Sequence, residues 1–486
     1  MVSKFISPST GQARLARSLI IGAATVLLLF RSPSGYCDNA RESTTPATGG
    51  QTANDAGGVN ASNPGTHTGS ELGGGPTSGT GPANSSPTSD KGGQVNVKSF
   101  GAAGDGATND TAAFNAALKS VAEAGGGVCL VPKGTYLISG SGITSRVLSN
   151  VHLVGEGRGA SILKITEMPS HNFLFCSGDN WSVENLTFDL QNYFPKIRFS
   201  AINCNGDNWR VANCALLNIG RIGIGAFGGK NWSIEGNHIT SMRRVGNSAI
   251  LTSLAVGAGP TPTNARIIDN VCEGSGISFW GNNSTIARNR VSGSGSGTGI
   301  FTGAASTAAH THTLTIIGNT CTGGRGFDGN TWISGFEIWA AKSVIAYNTA
   351  TDNDGSGIIV GGPHCLVIGN RSDDNARSHG HSGFMARYQN FSKASDSIFI
   401  GNSAHDTRYP GNNMTQEYGY AEQPGRLEHI THIGNDYDHN KMGPTKYNSR
   451  PNVSQSSAMK NELKAFAEDP DMPESARDIV REYLSR

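Results

Sequence analysis

The sequence predicts an all-β protein built as a parallel β-helix solenoid, and two interleaved repeats carry that prediction. In the first repeat an apolar residue and two variable residues precede an asparagine, giving eight asparagines spaced 19 to 33 residues apart: Asn237, Asn270, Asn289, Asn319, Asn348, Asn370, Asn402 and Asn435. In the second repeat a small residue, usually glycine, precedes an apolar residue, as in Gly276-Ile277 and Gly357-Ile358. Repeats of about 20–50 residues are typical of solenoids and propellers. Each repeat here contains two short strand-like runs and no helical period.

A propeller is the main alternative, but its blades need four antiparallel strands in about 40 residues, and these repeats are too short. The asparagines are expected to be structural, because asparagine tolerates left-handed backbone geometry and stacked amides can bond along a column. Asp352, Asp374 and Asp406 each follow a ladder asparagine by four residues. They are predicted to form a second turn ladder rather than a metal site.

The N-terminal region is predicted to be a signal and a linker. In residues 1–36, Lys4, Arg14 and Arg17 precede an apolar run of 13 residues that is too short to span a bilayer, as in a secretory signal peptide. An uncleaved anchor is the alternative, and no other stretch predicts a membrane span. Residues 37–93 are rich in Gly, Ser, Thr and Pro and are expected to form a disordered linker. The protein is therefore expected to be secreted or extracellular.

Residues 94–455 are predicted to form the β-helix, and residues 456–486 a helical segment. Near the start, Asp110 is expected to cap a helix whose apolar residues recur at helical spacing: Phe114, Ala117, Leu118 and Val121. The C-terminal segment is expected to form two short helices that pack on or near the end of the rod, where open strand edges need cover.

The cysteines are expected to be structural. The segments CSGDNW and CNGDNW place Cys176 and Cys204 one coil apart, close enough in principle for a disulfide. Cys272 and Cys321 are predicted to face inward with another coil between them, so that they cannot bridge. No CxxC spacing indicates zinc. Charged residues make up 15% of the chain and the net charge is +1, so no basic stripe predicts nucleic-acid binding.

A family resemblance covers the start of the predicted solenoid. The run SFGAAGDGATNDTAAFNAAL, followed by GGGVCLVPKGTYLI, resembles the opening of the pectate-lyase-like superfamily of right-handed parallel β-helix proteins. The resemblance implies a right-handed β-helix with an N-terminal capping helix. It leaves the activity open, because polygalacturonases, polysaccharide lyases, uronate epimerases and phage tailspikes share this opening, and a fold does not fix a function.

One strand stack is predicted to form a groove, because the longest loops flank it between residues 277 and 389. Strand alternation makes alternate residues face outward, and the outward set is Ser278, Trp280, Phe301, Glu337, Trp339, Ile359, Met385 and Arg387. Flat aromatic rings stack on sugars, and arginine binds carboxylates through two hydrogen bonds. The residues predicted to bind a polysaccharide are Trp280, Phe301, Trp339 and Tyr388. Packing of the loops over the aromatic residues is the alternative.

Two chemistries suit such a groove. Hydrolysis needs two carboxyl groups, and Glu337 could pair with Asp328 or Asp354. Lyase or epimerase chemistry needs a base and a cation that neutralises the uronate carboxylate; the candidates nearby in sequence are Arg387, Lys342, His379, His381 and Tyr388. The predicted catalytic residues are Glu337, Arg387 and His381. No metal site is assigned, and a Ca²⁺ cofactor is expected only for a lyase.

The motifs that the resemblance would imply are missing. The Asn-Thr-Asp-Gly, Asp-Asp and Gly-His-Gly segments of polygalacturonases do not occur in successive coils, and the Asp-Pro-His segment of alginate epimerases is absent. The missing motifs favour a non-catalytic protein, whereas the groove with its aromatic residues favours an enzyme. The sequence is interpreted as a secreted protein acting on a uronate-containing polysaccharide, more lyase-like than hydrolytic. A non-catalytic glycan-binding or surface-structural β-helix, and a hydrolase of polygalacturonase type, are the alternatives. The oligomeric state is left open.

Overall fold

The computed structural model describes residues 93–139, 141–167, 172–191, 200–241, 248–252, 261–295, 297–303, 311–326, 333–378, 380–389, 392–408, 413–424, 427–447, 456–468, 470 and 474–485. The predicted signal peptide, and the predicted linker apart from Gly93, lie outside these residues. So do parts of the predicted loop walls, among them residues 253–260, 304–310 and 327–332, with Asp328, and also His379. Within the described residues, no helix is long and apolar enough to cross a membrane.

The described chain forms a parallel β-helix with three long sheets, as the repeats predict. Neighbouring strands in each sheet belong to successive coils and pair in parallel. The 13-stranded sheet contains Gln94–Asn96, Gly127–Val131, Val151–Gly155, Ser182–Glu184, Arg210–Ala212, Ser233–Glu235, Arg266–Ile268, Asn282–Ala287, His312–Ile317, Val344–Ala346, Leu366–Ile368, Ile398–Ile400 and Thr431–Ile433.

Two further sheets complete the coil. The 11-stranded sheet contains Asp105–Asn109, Gly134–Ile138, Ser161–Ile165, Thr187–Asp189, Ala215–Ile219, His238–Ser241, Val271–Glu273, Arg290–Ser292, Thr320–Thr322, Thr349–Thr351 and Arg371–Asp373. The 12-stranded sheet contains Ile143–Val147, Leu174–Cys176, Ser200–Cys204, Ile222–Ala226, Ser248–Thr252, Gly276–Phe279, Ile300–Thr302, Phe336–Ile338, Ile358–Val360, Phe384–Ala386, Tyr418–Glu422 and Gly443–Lys446. A small antiparallel hairpin joins Tyr388–Gln389 to Ser392–Lys393.

The N-terminal end carries helix α1, Thr111–Glu123, after a 3-10 turn at Val97–Phe100. The apolar residues predicted for this helix are all buried in the core: Phe114, Ala117, Leu118 and Val121. Asp110 precedes α1, but its carboxylate does not cap the helix. It accepts hydrogen bonds from the backbone N–H groups of Ala103 and Gly104, so the expected capping role is wrong and Asp110 instead fixes the preceding loop.

The eight predicted ladder asparagines form one continuous column between the 13-stranded and 11-stranded sheets, and all but the half-buried Asn435 are buried. The side-chain amide of each of the first seven donates to the side-chain oxygen of the next ladder asparagine at 2.9–3.0 Å. Each amide also donates to a backbone carbonyl of the preceding coil, as Asn319 does to Ile286. The thiol of Cys214 occupies the same place one coil before Asn237, and its backbone N–H donates to the Asn237 side chain.

A second side-chain ladder begins one residue after Asp352 and Asp374. It runs through Asn353, Asn375, Gln416 and Asn440, with side-chain bonds of 2.8 Å between the first two and 2.7 Å between the last two. Asp352 and Asp374 do occupy stacked turns with left-handed backbone, at φ of +58° and +55°. Their carboxylates, however, bind side chains of the loops rather than one another: Asp352 pairs with Arg377 and Asp374 with Thr407. Asp406 pairs with Arg408.

The cysteines are buried free thiols among the described residues. Cys176 and Cys204 are register partners in the 12-stranded sheet, but no disulfide joins them. Cys272 and Cys321 lie in the core on either side of Val291, as predicted. The tryptophans of the CSGDNW-type repeats stack in the core as well, with ring centroids 5.0 Å apart for Trp181 and Trp209 and 4.7 Å apart for Trp209 and Trp232.

Helices α2, Ser456–Glu468, and α3, Glu474–Ser485, cover the flank of the last coils. Leu463, Ala467 and Val480 form one apolar cluster with outward residues of the 13-stranded sheet: Val344, Ala346, Leu366, Ile368, Ile398 and Ile400. The helices therefore lie near the C-terminal end, as expected, but they cover a side of the rod. The sequence contains the evidence for this covered side, because these strands are apolar at successive positions and so must be buried on both faces.

Replacing a central ladder asparagine is expected to destabilise the fold strongly. Asn319→Ala leaves the backbone and side-chain N–H groups of Asn289 without their acceptor in the core. Each buried unsatisfied group costs about 1–3 kcal/mol, so the loss should be on the order of 3 kcal/mol in urea unfolding followed by circular dichroism.

Asn435→Ala is the matched control, because this last ladder residue is only half-buried and water can replace its side chain. Equal losses for the two variants would show that the ladder contributes little and that the coils are held by apolar packing alone.

The helical flank makes a second test possible. Leu463→Asp places a charge in a fully buried position and should detach α2 and α3, exposing the apolar strands beneath them. Increased binding of a hydrophobic dye with an unchanged β-sheet spectrum is the expected result. Ala465→Asp, on the exposed side of α2, should bind no extra dye; a dye signal of equal size there would contradict the assignment of the buried face.

Candidate functional site

The outer face of the 12-stranded sheet carries a column of register partners that contains the predicted groove residues. From coil to coil the column runs through Leu251, Ser278, Phe301, Glu337, Ile359 and Met385. Their inward neighbours Ile277, Ile300, Phe336, Ile358 and Phe384 are fully buried. The parity predicted from the sequence therefore places Glu337 on the outer face.

A second outward column lies beside the first and alternates bulky residues with glycine: Trp280, Gly303, Trp339, Gly361 and Arg387. A Cβ atom on Gly303 would lie 1.6 Å from Nε1 of Trp280, and one on Gly361 would lie 2.2 Å from Cε3 of Trp339. Each indole thus rests on the glycine of the next coil, a close approach that a side chain there would prevent.

Glu337 is the centre of a polar cluster on this face. One carboxylate oxygen accepts a hydrogen bond from Nε1 of Trp339 at 3.0 Å, and the other accepts from the Thr298 hydroxyl at 3.1 Å. The nearest Arg387 nitrogen lies 3.9 Å from the carboxylate, too long for a direct hydrogen bond. The side chains of Glu337 and Arg387 remain 13% and 22% exposed. The guanidinium also lies 5.8 Å from the centre of the Trp339 ring.

Two aromatic rings continue the outer face on the N-terminal side of Glu337. Trp280 and Phe301 are both half-buried, with ring centroids 5.4 Å apart. Phe301 is the direct register partner of Glu337. A ligand on this face would therefore meet an apolar ring surface next to a carboxylate and a guanidinium.

Contrary to the prediction, the side chain of Trp339 does not face the groove. Its side chain is 1% exposed, because the ring packs over Gly361 and its N–H group points to Glu337. Ile359, also predicted to face outward into the groove, is 2% exposed. The expectation that Trp339 offers an open platform to a sugar is wrong; the residue instead holds the Glu337 carboxylate in place.

His381 and Tyr388 lie at the edges of the cluster. His381 is only 3% exposed. Burial, with a further contribution from the positive charge of Arg387, lowers the pKa of His381 to about 4, so its ring is neutral near pH 7. This burial contradicts the expectation that it touches substrate. Tyr388 is half-buried in the small hairpin opposite Lys393, and its backbone N–H donates to the Gln423 side chain.

The two other candidates within the described residues, Asp354 and Lys342, are not brought to the outward columns. The Asp354 carboxylate accepts from the backbone N–H of Gly326 at 2.8 Å and lies 3.9 Å from an Arg325 nitrogen, in the turn before the strand. Lys342 is exposed at the turn leading into the 13-stranded sheet. Across the described residues, no group of three or more His, Cys, Asp or Glu side chains could hold a metal ion.

Sequence reasoning missed Thr298 and the two supporting glycines. Thr298 lies two residues before Ile300, at the coil position that Ser334, Ser356 and Ser382 occupy in later coils, so nothing marked it as different. The glycines had a visible signal. Gly303 and Gly361 each come directly after a strand, at the position where neighbouring coils carry Trp280, Trp339 and Arg387.

The comparison with known families agrees with the fold. Residues 94–328 match the family described as rhamnogalacturonase A/epimerase, pectate lyase-like. The pectate-lyase-like resemblance is confirmed over that range. The A-module of mannuronan C5-epimerase AlgE4 from Azotobacter vinelandii superimposes with a TM-score of 0.57 at 18% identity, covering 74% of this chain and 98% of that one. At this identity the likeness shows the fold alone.

Two sequence relatives from the same organism are similar over a short stretch. Mannuronan C5-epimerase AlgE2 is 45% identical over 76 residues, which cover 15% of this chain and 8% of that protein. Alginate lyase 7 is 42% identical over 78 residues, covering 15% of this chain and 9% of that protein. The chain thus spans less than a tenth of the length of these relatives. The matched stretch is therefore similar both to an epimerase and to a lyase.

Gly361 offers a test of the site geometry. Gly361→Ala should displace the Trp339 ring, break its hydrogen bond to Glu337 and raise the solvent exposure of the indole. The expected readout is a red shift of tryptophan emission and stronger quenching by iodide. Gly297→Ala is the control, because a Cβ atom there meets nothing within 4 Å. Identical spectra for the wild type and the Gly361 variant would contradict the close packing.

Proposed function

We propose that the outer face of the 12-stranded sheet binds a uronate-containing polysaccharide and that the protein removes the proton beside a uronate carboxylate. This step begins both the lyase and the C5-epimerase reaction. The observation that carries the proposal is the cluster of Glu337 and Arg387 beside the half-buried rings of Trp280 and Phe301. The local similarity to mannuronan C5-epimerases and to an alginate lyase supports the same substrate class.

The binding step follows from the residues of the groove. Sugar rings can stack on Trp280 and Phe301, which remain half-buried rather than covered. Arg387 is placed to hold a uronate carboxylate, since arginine matches carboxylate geometry with two parallel N–H donors. It forms a long ion pair with Glu337, at 3.9 Å, so a uronate carboxylate bound by Arg387 would lie beside the Glu337 carboxylate.

The chemical step needs a charge stabiliser and a base. Pairing the uronate carboxylate with Arg387 would stabilise the negative charge that develops on the adjacent carbon when its proton leaves. Glu337 is the proposed proton acceptor, held in position by Trp339 and Thr298. In a lyase, the neighbouring glycosidic oxygen then leaves and takes up a proton from Glu337 or from water, which gives a chain break and an unsaturated sugar. In an epimerase, a water molecule on the opposite face returns a proton to the same carbon, and the glycosidic bond stays intact.

His381 is proposed to act through Arg387 rather than on substrate. It is buried beside that guanidinium, and as a neutral ring near pH 7 it adds no second positive charge next to Arg387. Tyr388 is the proposed substrate-binding residue at the rim of the groove. We also propose that the protein is secreted, because residues 1–36 have the pattern of a signal peptide and a polysaccharide substrate of this kind lies outside the cell.

Hydrolysis is less well supported by this face. A glycosidase normally needs two carboxyl groups on either side of the scissile bond. Among the outward residues of the described strands of the 12-stranded sheet between residues 276 and 386, Glu337 is the single carboxylate. The hydrolytic alternative would therefore require an acid from outside these strands.

The activity test uses polymannuronate, polyguluronate and polygalacturonate as substrates, each with and without added Ca²⁺. Ultraviolet absorbance from an unsaturated product indicates a lyase, and a changed sugar ratio by ¹H NMR without chain breaks indicates an epimerase. New reducing ends without absorbance indicate a hydrolase. Binding with none of these changes would leave a non-catalytic glycan-binding protein and overturn the proposed reaction.

Variants then test the roles of the residues. Glu337→Gln keeps the shape of the side chain and should lower turnover by at least about 100-fold, the usual contribution of a general base. Arg387→Lys should weaken turnover and binding together, since lysine lacks the paired donors. Glu273→Gln, exposed on the 11-stranded sheet, is the matched control. If Glu337→Gln keeps full turnover while Phe301→Ala loses binding, the polysaccharide binds in the groove but Glu337 is not the base.

A further inference from the structure

The outward column that contains Phe301 and Glu337 continues towards the N-terminal end of the solenoid, beyond the groove. Going back from Phe301, its register partners in successive coils are Ser278, Leu251, Gly225, Asn203 and Phe175. Gly225 is buried and the other four are half-buried, so side chains along the column remain accessible. At about 4.8 Å for each strand step, Phe175 lies about 24 Å from Phe301 and about 29 Å from Glu337. We call this part of the sheet, from Phe175 to Ser278, the N-terminal face.

Arg146 and Phe175 form a basic and aromatic pair at the far end of the N-terminal face. The central carbon of the Arg146 guanidinium lies 4.5 Å from the centroid of the Phe175 ring. Arg146 is exposed, and it forms no ion pair with a described residue. A guanidinium over a ring keeps its N–H donors, which point outward in its plane, available for a carboxylate. The pair therefore combines an aromatic ring with an arginine, as the groove does around Arg387.

Amide groups and a further aromatic ring lie between this pair and the groove. The Asn205 side-chain amide donates to the Asn203 side-chain oxygen at 2.9 Å, and this bond leaves the Asn203 amide N–H groups and the Asn205 side-chain oxygen for other partners. Phe227 is half-buried and lies over Gly225, where a Cβ atom would be 2.7 Å from Cε2 of the ring. Ring surfaces and amides together match the apolar faces and the hydroxyl groups of sugars.

The charge of the N-terminal face suits an anionic chain. Its strands, with the neighbouring strand that carries Arg146, contain neither aspartate nor glutamate, and Arg146 is their single charged residue: Ile143–Val147, Leu174–Cys176, Ser200–Cys204, Ile222–Ala226, Ser248–Thr252 and Gly276–Phe279. A polymer with a carboxylate on each sugar would therefore meet no like charge along these strands. It would meet an attractive charge at their far end.

We propose that the N-terminal face binds the continuation of the uronate chain whose reacting sugar lies at Glu337, and that Arg146 holds a second carboxylate of that chain. The inference rests on the proposed function, because it takes the same polymer as ligand. A long chain can contact Arg387 and Arg146 at once, and the second contact then forms within the same complex, whereas a short oligomer reaches only one of them. The protein should therefore select long uronate chains over short ones.

Isothermal titration of the full chain with uronate oligomers of two lengths tests the proposal. The ligands are trisaccharides, too short to extend from Arg387 to Arg146, and decasaccharides, which are long enough, of mannuronate, guluronate and galacturonate. All proteins carry Glu337→Gln, so that the oligomers are not consumed. The decasaccharide of the preferred uronate is expected to bind at least about tenfold more tightly than its trisaccharide, which is the scale of one hydrogen bond between charged groups. Arg146→Ala should remove most of this gain and leave trisaccharide binding unchanged.

Two further variants separate a specific contact from a general effect of chain length. Arg290→Ala is the matched control, because Arg290 is also exposed but lies on the outer face of the 11-stranded sheet, and it should keep the full gain. Phe175→Ala removes the ring beneath the Arg146 guanidinium and should weaken decasaccharide binding alone.

The outcomes distinguish this inference from the function on which it rests. If Arg146→Ala keeps the full gain, or if long and short oligomers bind equally, the inference is overturned. Trisaccharide binding that is lost in Arg387→Ala would, in that case, still support the proposed groove. Binding of none of the oligomers overturns both proposals.

Discussion

The structure depends on the buried column of side-chain amides between two of its sheets. An amide that donates to the next coil and to a backbone carbonyl of the preceding one ties three coils together at a single point. Because these groups are buried, a register error would leave donors and acceptors unpaired, at a cost larger than the net gain of about 1 kcal/mol from a typical hydrogen bond. The column therefore fixes the stacking of every coil from Asn237 to Asn435, and with it the alignment of the groove residues.

The positions of the groove residues depend on that alignment of the coils. Phe301, Glu337 and Ile359 are neighbours because their coils are in register, although 36 and 22 residues separate them along the chain. The glycines at 303 and 361 then let the indoles of Trp280 and Trp339 lie flat across the next coil. The result is a carboxylate fixed by an indole N–H and a hydroxyl, with an arginine near enough to share a ligand and too far to form a direct hydrogen bond.

Most of the fold and part of the site could be predicted from the sequence. The asparagine ladder could be recognised in the sequence because asparagine recurs with an apolar residue three positions earlier. The second ladder was not, because Gln416 replaces asparagine and the spacing to Asn375 is 41 residues. Parity placed Glu337 on the outer face, since it requires only that Phe336 and Ile338 be buried. Parity could not reveal the burial of Trp339 or His381, which depends on the space left by Gly361 and on residues of other turns.

The helices on the flank have a consequence for cooperativity. In a solenoid each coil contacts only its neighbours, so end coils can open one at a time. Helices α2 and α3 share one apolar cluster with three successive strands, Val344–Ala346, Leu366–Ile368 and Ile398–Ile400. Those strands belong to the coils that carry Glu337, Ile359 and Arg387. Because the two helices contact all three coils, these coils should open together or not at all. The distance between the Glu337 carboxylate and the Arg387 guanidinium is therefore protected when the C-terminal end of the solenoid frays.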